Sequence, residues 1–231
     1  MMVNGQKILM AEINFLCVHK NLREKKLAPV LIKEITRRVN CCNVWQAIYT
    51  AGVVIPTPIT ACMYYHRSLN PKKLVEVGFT SQPKNVPMAR YVKMNKCPDT
   101  LKIPSLRPMK EADAPQVHKL LNDFLGDKKL NIQFSPEEII HYLMPREGVM
   151  TTYVKEDETS GNLTDFFSFY CLPSSILKNE EHKMLWVAYS FYNVCTTVTI
   201  TDLMSDALCI AKQKDYDVFN ALDCNKNPEF L

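Results

Sequence analysis

Glycine is scarce in these 231 residues, at six, and tryptophan scarcer, at two. No apolar run approaches the roughly 18 residues that a membrane span requires, so no transmembrane segment is expected. Near the start, Ile8–Met10 and Ile13–Val18 are split by Glu12, and no small-residue cleavage site follows, so no secretory signal is expected. The second residue is Met2 rather than Gly, so no signal for acylation of an N-terminal glycine is expected on this chain. The nine cysteines are odd in number and none has C-x-x-C spacing, which fits a reduced cytoplasmic chain better than a disulfide scaffold or a zinc site. The five histidines are scattered without H-E-x-x-H or a comparable spacing, and no metal is expected. A net charge of +4 is too weak to point to nucleic acid. No repeat of solenoid length is visible. What remains is ordinary globular composition, 47% hydrophobic and 23% charged, which argues against disorder.

Two stretches read as loops, Ser81–Pro87 and Cys97–Pro108, the second carrying Pro98, Pro104 and Pro108. A boundary is expected there, dividing the chain into 1–104 and 105–231. Beyond it, Leu106-Arg107-Pro108 ends an extended segment. Asp113 is placed to cap a helix bearing Val117, Leu120, Leu121, Phe124 and Leu125 at helical spacing. Ser135-Pro136-Glu137-Glu138 has the form of a helix start, with an N-cap, a first-turn proline and two acids near the positive end of the dipole. Strands are expected over Met150–Val154, Asp165–Leu172 and Asp217–Leu222, and a helix over Asp202–Gln213. Strands alternating with helices suggest a mixed α/β or α+β protein. Cys17, Cys171 and Cys209 lie in apolar runs and read as small core residues.

Residues 11 to 52 carry the chemistry. Ile13, Phe15, Leu16, Cys17 and Val18 read as a buried strand. A charged turn follows, Lys20–Lys26. Ala28, Leu31, Ile32, Ile35 and Val39 then recur on one face of an amphipathic helix, with Pro29 harmless in its first turn. Trp45, Ala47, Ile48 and Tyr49 read as another strand. A basic turn running into a helix N-terminus is an anion site: the first helical N–H groups lack internal partners, the dipole adds positive potential, and Arg23, Lys25 and Lys26 add charge. A phosphate or pyrophosphate is the natural ligand. The turn is neither a Walker loop nor a dinucleotide fingerprint, since it holds no glycine. Strand, R-x-x-K-x-A (Arg23 to Ala28) and helix together are similar to the pyrophosphate grip of the acyl-CoA N-acyltransferase fold.

Glu12-Ile13-Asn14-Phe15-Leu16-Cys17-Val18-His19-Lys20 resembles the signature of protein N-myristoyltransferases. Leu27-Ala28-Pro29-Val30, Ile35-Thr36-Arg37-Arg38-Val39, Tyr49-Thr50-Ala51-Gly52-Val53, His66-Arg67-Ser68-Leu69-Asn70-Pro71, Leu106-Arg107-Pro108-Met109, Ser168-Phe169-Tyr170, Leu203-Met204 and Asp217–Asp223 agree with it, and Trp45-Gln46 and Pro56–Thr60 resemble plant members. The resemblance implies an α+β fold, an acyl-CoA N-acyltransferase-like mixed sheet with helices: the remainder of a first acyltransferase-like half and most of a second. It implies transfer of a myristoyl group from myristoyl-CoA, the acyl donor, to the N-terminal glycine amine of proteins or peptides. The amine attacks the thioester directly, so no cysteine nucleophile is needed. The implied CoA positions are Leu16, Val18, Arg23, Glu24, Lys26, Leu27 and Ala28. The implied peptide-groove positions are Asn14, Tyr49, Thr50, Gly52, Tyr64, His66, Phe79, Tyr170, Ser174 and Tyr189. A cytoplasmic monomer is implied.

The sequence departs from the family pattern in ways that bear on catalysis. Family members extend further in both directions, and the backbone oxyanion hole and the C-terminal carboxylate base fall outside the matched positions, so no catalytic residue is assigned here. The family's R-S-K-R turn reads Arg23-Glu24-Lys25-Lys26, which brings a carboxylate towards phosphates. Lys26 keeps a charge but loses the guanidinium fork, and Tyr65 stands for a usual Trp. Impaired transfer is therefore expected of this chain. The alternatives are a non-catalytic CoA- or peptide-binding remnant and a non-functional product, which a CoA titration separates.

Overall fold

The computed structural model describes residues 1–53, 55–177 and 179–231, and the chain divides into two compact units. The first comprises Met1–Ala61 with Leu125–Gln133, and the second Cys62–Phe124 with Phe134–Leu231. The first unit holds β1 (Met10–Ile13), a 3-10 turn (Lys20–Lys25), α1 (Leu27–Cys41) and β2 (Gln46–Tyr49). β1 and β2 form a two-stranded parallel sheet, Ile13 opposite Tyr49. A second small sheet joins Met2–Val3 to Gln6–Lys7 and to Leu130–Asn131. Between Met1 and Ala61 no described residue is buried.

Two expectations fail here. The apolar run after Ile13 is not a strand: β1 lies earlier, Phe15 takes a left-handed conformation (φ 54°) that breaks extension, and its ring is 83% exposed. Cys17 is exposed rather than a core residue. The α1 helix forms over the range its periodicity predicts, yet Leu31, Ile32 and Ile35 of its apolar face stay exposed.

The second unit is built on a six-stranded mixed sheet. Its strands are β3 (Tyr64–Ser68), β4 (Leu106–Pro108), β5 (Met150–Glu156), β6 (Leu163–Cys171), β7 (Val187–Val194) and β8 (Val218–Leu222). The order across the sheet is β3-β8-β7-β6-β5-β4, all neighbours antiparallel except β7 and β8. Its helices are α2 (Pro71–Glu76), α3 (Met88–Met94), α4 (Ala114–Gly126), α5 (Pro136–Leu143) and α6 (Ile200–Gln213). Ser135 caps α5 as expected, accepting from the Glu138 N–H while the Glu138 carboxylate accepts from the Ser135 N–H. Asp113 instead ends a 3-10 turn ahead of α4, accepting from the Lys110 N–H and from both outer nitrogens of Arg107.

Alternation gives the sheet two different faces. Cys171, Ala188, Phe219 and Arg67 stand opposite one another across four strands. The apolar members of that row, with Phe167 and Phe169, pack against Leu203, Met204, Ala207, Ile210 and Ala211 of α6, and this is the main core. The residues between them belong to the other face. There α2 sets Leu74 against Leu185, Val187 and Val218, and the remainder of that face near β3 is aromatic and polar.

Candidate functional site

The expected peptide residues of the second unit converge on this second face. The strand register sets Tyr170 opposite Tyr189, Tyr189 opposite Asn220, and Asn220 opposite His66, a single row over β6, β7, β8 and β3. Directly opposed residues share a face, so the four side chains stand side by side. Tyr170 and Tyr189 stack with centroids 5.4 Å apart and planes at 11°. Tyr64, two positions from His66, meets Tyr189 edge-on at 6.1 Å. Phe79 meets the His66 ring edge-on at 5.5 Å. It reaches there because Gly78, at φ 74°, turns the chain after α2. His66 Nδ1 and Asn220 Oδ1 are 2.6 Å apart, so this nitrogen carries the proton and donates.

Burial sets the electrostatics of the row. It pushes the Tyr170 phenol up to about 12, and the Tyr64 and Tyr189 phenols add to the effect. Burial, then Tyr189, also raises Tyr64. Both phenols are thus neutral hydrogen-bonding groups at pH 7. The arrangement offers flat apolar surface, phenolic hydroxyls and one oriented imidazole. That combination suits an extended peptide better than a charged small molecule.

The support behind the row explains the His66–Pro71 motif. Asn70 caps α2, its side-chain oxygen accepting from the Lys73 N–H. The buried Asp217 carboxylate accepts from Asn70 Nδ2, Lys73 Nζ and the Trp186 N–H. This ties α2 to the sheet beside the aromatic row. Ser174 lies apart from the row, exposed on the short strand Ser174–Ser175 that pairs with Met184–Leu185. Asn14, Tyr49, Thr50 and Gly52 belong to the first unit, where Asn14 Nδ2 donates to Glu12 Oε1 and Tyr49 ends β2. Asn220 joins the row without being among the expected positions; in the sequence it stands out as a polar residue inside the apolar run Val218–Leu222, and the structure buries it.

In the first unit the basic turn does run into a helix start. Lys20–Lys25 makes the 3-10 turn, Lys26 is left-handed at φ 52°, and α1 begins at Leu27 with no side chain capping it. The N–H groups of Leu27 and Ala28 thus precede any intrahelical acceptor, and Pro29 has none to satisfy. Arg23 Nε donates to the Val18 carbonyl at 3.2 Å, which holds the guanidinium over the turn. Leu16 and Glu24 are exposed, and Val18 is half-buried.

The mixed sheet with its helices, its aromatic face and the cationic helix start of the first unit make this an α+β protein. The profile for the C-terminal domain of myristoyl-CoA:protein N-myristoyltransferase matches residues 76–231, and that for its N-terminal domain matches residues 1–62. The chain belongs to the N-myristoyltransferase family. Glycylpeptide N-tetradecanoyltransferase 1 of Arabidopsis thaliana is 51% identical over 229 residues, covering 99% of this chain and 53% of the relative. The Dictyostelium discoideum glycylpeptide N-tetradecanoyltransferase is 54% identical over 230 residues, covering 99% and 55%. The Saccharomyces cerevisiae N-myristoyltransferase solved with bound myristoyl-CoA superposes with a TM-score of 0.93 at 40% identity, covering 100% of this chain and 57% of that one. The chain spans about half the length of the curated relatives it matches.

Proposed function

We propose that this chain binds the N-terminal segment of a glycine peptide along the Tyr170–Tyr189–Asn220–His66 row and the phosphates of myristoyl-CoA at the Lys20–Ala28 turn. The activity it serves is transfer of the myristoyl group to the glycine amine. In that reaction the amine nitrogen attacks the thioester carbon, the CoA thiolate leaves, and the ammonium loses its proton. Within these 231 residues we assign positioning only: phosphate contacts to Arg23, Lys26 and the Leu27 and Ala28 N–H groups, with Leu16 and Val18 beside them, and peptide contacts to the aromatic row. Ser174 is proposed as a further peptide contact of the second unit, and Asn14, Tyr49, Thr50 and Gly52 are proposed as peptide contacts of the first unit by itself. The proposed setting is a cytoplasmic monomer. Among the described residues, no helix is long and apolar enough to cross a membrane.

The single observation that carries the reading is the in-register row, with stacked tyrosines at one end and the His66–Asn220 hydrogen bond at the other. Fluorescence polarisation with a labelled peptide beginning in glycine tests it. Tyr189→Ala should weaken binding about tenfold or more, as aromatic anchors in a groove do, while a surface change at Lys119 leaves it unchanged. Equal affinities for the two variants would overturn the reading.

One observation favours a second reading for the isolated chain. With no buried residue among those described between Met1 and Ala61, the phosphate turn rests on an unsupported scaffold, which suits weak CoA binding without efficient turnover.

A further inference from the structure

The β3–β8 ladder continues past its last regular pair, and two cysteines meet there. Ser68 to Tyr64 face Val218 to Leu222 in strict antiparallel register. Beyond Leu222 the Asp223 N–H donates to the Met63 carbonyl at 3.1 Å, and the Met63 N–H donates to the Asp223 carboxylate at 2.7 Å. The same register then sets Cys62 opposite Cys224. At the other end the Leu69 N–H donates to the Asp217 carbonyl. The main-chain bonds at Met63 and Leu69 therefore mark the odd-numbered residues of β3 as the hydrogen-bonded pairs. Continued by one residue past Met63 and Asp223, this register makes Cys62 and Cys224 a non-hydrogen-bonded pair, the same type as His66 with Asn220, whose side chains touch.

Non-hydrogen-bonded antiparallel pairs bring Cα atoms to about 4.5 Å, at the short end of the roughly 4.4–6.8 Å that a disulfide spans. Both thiols are free, with Cys62 exposed and Cys224 half-buried. The Cys224 thiol is raised by burial and then by the Cys62 thiolate, so the two sulfurs lie within electrostatic reach. Both residues share the face of Tyr64 and His66, at the end of the aromatic row.

We infer that Cys62 and Cys224 form a redox-responsive cross-strand disulfide that bolts the edge strand β3 to β8 beside the aromatic face. The oxidant is a low-molecular-weight disulfide such as oxidised glutathione. The exposed Cys62, as thiolate, attacks one glutathione sulfur and expels the other glutathione as a thiolate. Cys224 then gives up its proton, and its sulfur attacks the Cys62 sulfur of the mixed disulfide and expels the second glutathione. Two protein thiols are oxidised, one glutathione disulfide is reduced to two thiols, and the two cysteine protons end on them. Edge strands open more readily than central ones, so the bond restrains the strand that carries Tyr64 and His66.

Peptide mapping of the full chain after incubation with oxidised glutathione tests this. The expected product is a crosslinked peptide pair containing Cys62 and Cys224. In Cys224→Ser the crosslink is lost and glutathione stays on Cys62. Amide exchange at Tyr65 and Arg67, whose N–H groups point to β8, should slow roughly tenfold or more on oxidation and recover on reduction. Glutathione found separately on both cysteines without a crosslink, or a crosslink from either to another cysteine, would overturn the inference. So would unchanged exchange at Tyr65 and Arg67 in the crosslinked protein.

Discussion

Single residues account for much of what holds the second unit in shape. Asp165 is fully buried, and its carboxylate accepts from the Thr196, Thr197 and Val198 N–H groups and from the Thr164 and Thr197 hydroxyls. Burial alone would raise its carboxyl, but the threonine hydroxyl and N–H donors win and hold it below the usual carboxylate range. A depressed folded pKa means that the unfolded chain binds more protons, so this group stabilises above its unfolded value, about 3.9, and the contribution fades as pH falls through the lower folded value. Asp165→Ala should cost about 3 kcal/mol at pH 7, and that cost should shrink in acid. Urea midpoints of both proteins at neutral and acid pH measure it; equal costs at both would contradict the assignment. At the phosphate turn, Glu24→Ser removes a negative charge from an exposed position. CoA should then bind about two- to fivefold tighter at low salt, with the gain shrinking as salt rises, read by calorimetric titration. An unchanged affinity would place the phosphates elsewhere.

At the scale of elements, what could be read depended on periodicity. α6, α5 and strands β5, β6 and β8 form where their patterns predict, because each buries a well-marked apolar face or carries its own capping box. β7 and β3 gave no such signal. Val187–Val194 mixes tyrosine, serine and asparagine with apolar residues because one of its faces lines the aromatic row. Tyr64–Ser68 is polar because it is an edge strand serving that row. The false strand after Ile13 arose from composition alone, which cannot show the left-handed turn at Phe15. The candidate site was legible through the family signature and not through pattern: the tyrosines fall at strand spacing, where core is the ordinary meaning. Two changes test these elements. Ser135→Ala removes the hydroxyl that accepts from the Glu138 N–H and should cost about 1 kcal/mol. Ile32→Glu on α1 should cost less than about 0.5 kcal/mol, since Ile32 is already 52% exposed. Thermal melts of the two variants distinguish a supported helix from an unsupported one.

For the molecule as a whole, burial is uneven between the units. The second unit has a continuous core beneath α6, whereas no described residue of Met1–Ala61 is buried. Amides of α1, β1 and β2 should therefore exchange at least about a hundredfold faster than those of β6 and β7, as hydrogen-exchange mass spectrometry would show. The aromatic row proposed for peptide is built on the stable sheet, while the turn proposed for phosphate, like the proposed peptide residues Asn14, Tyr49, Thr50 and Gly52, belongs to the unit with little burial. The most direct test is photocrosslinking with a glycine-initiated peptide that carries a benzophenone beside its first residues, followed by mapping of the adducts. Attachment at β3, β6 and β7, around Tyr64, His66, Tyr170 and Tyr189, is the expected result. Adducts confined to the α6 side of the sheet, or spread over the surface without preference, would contradict the account.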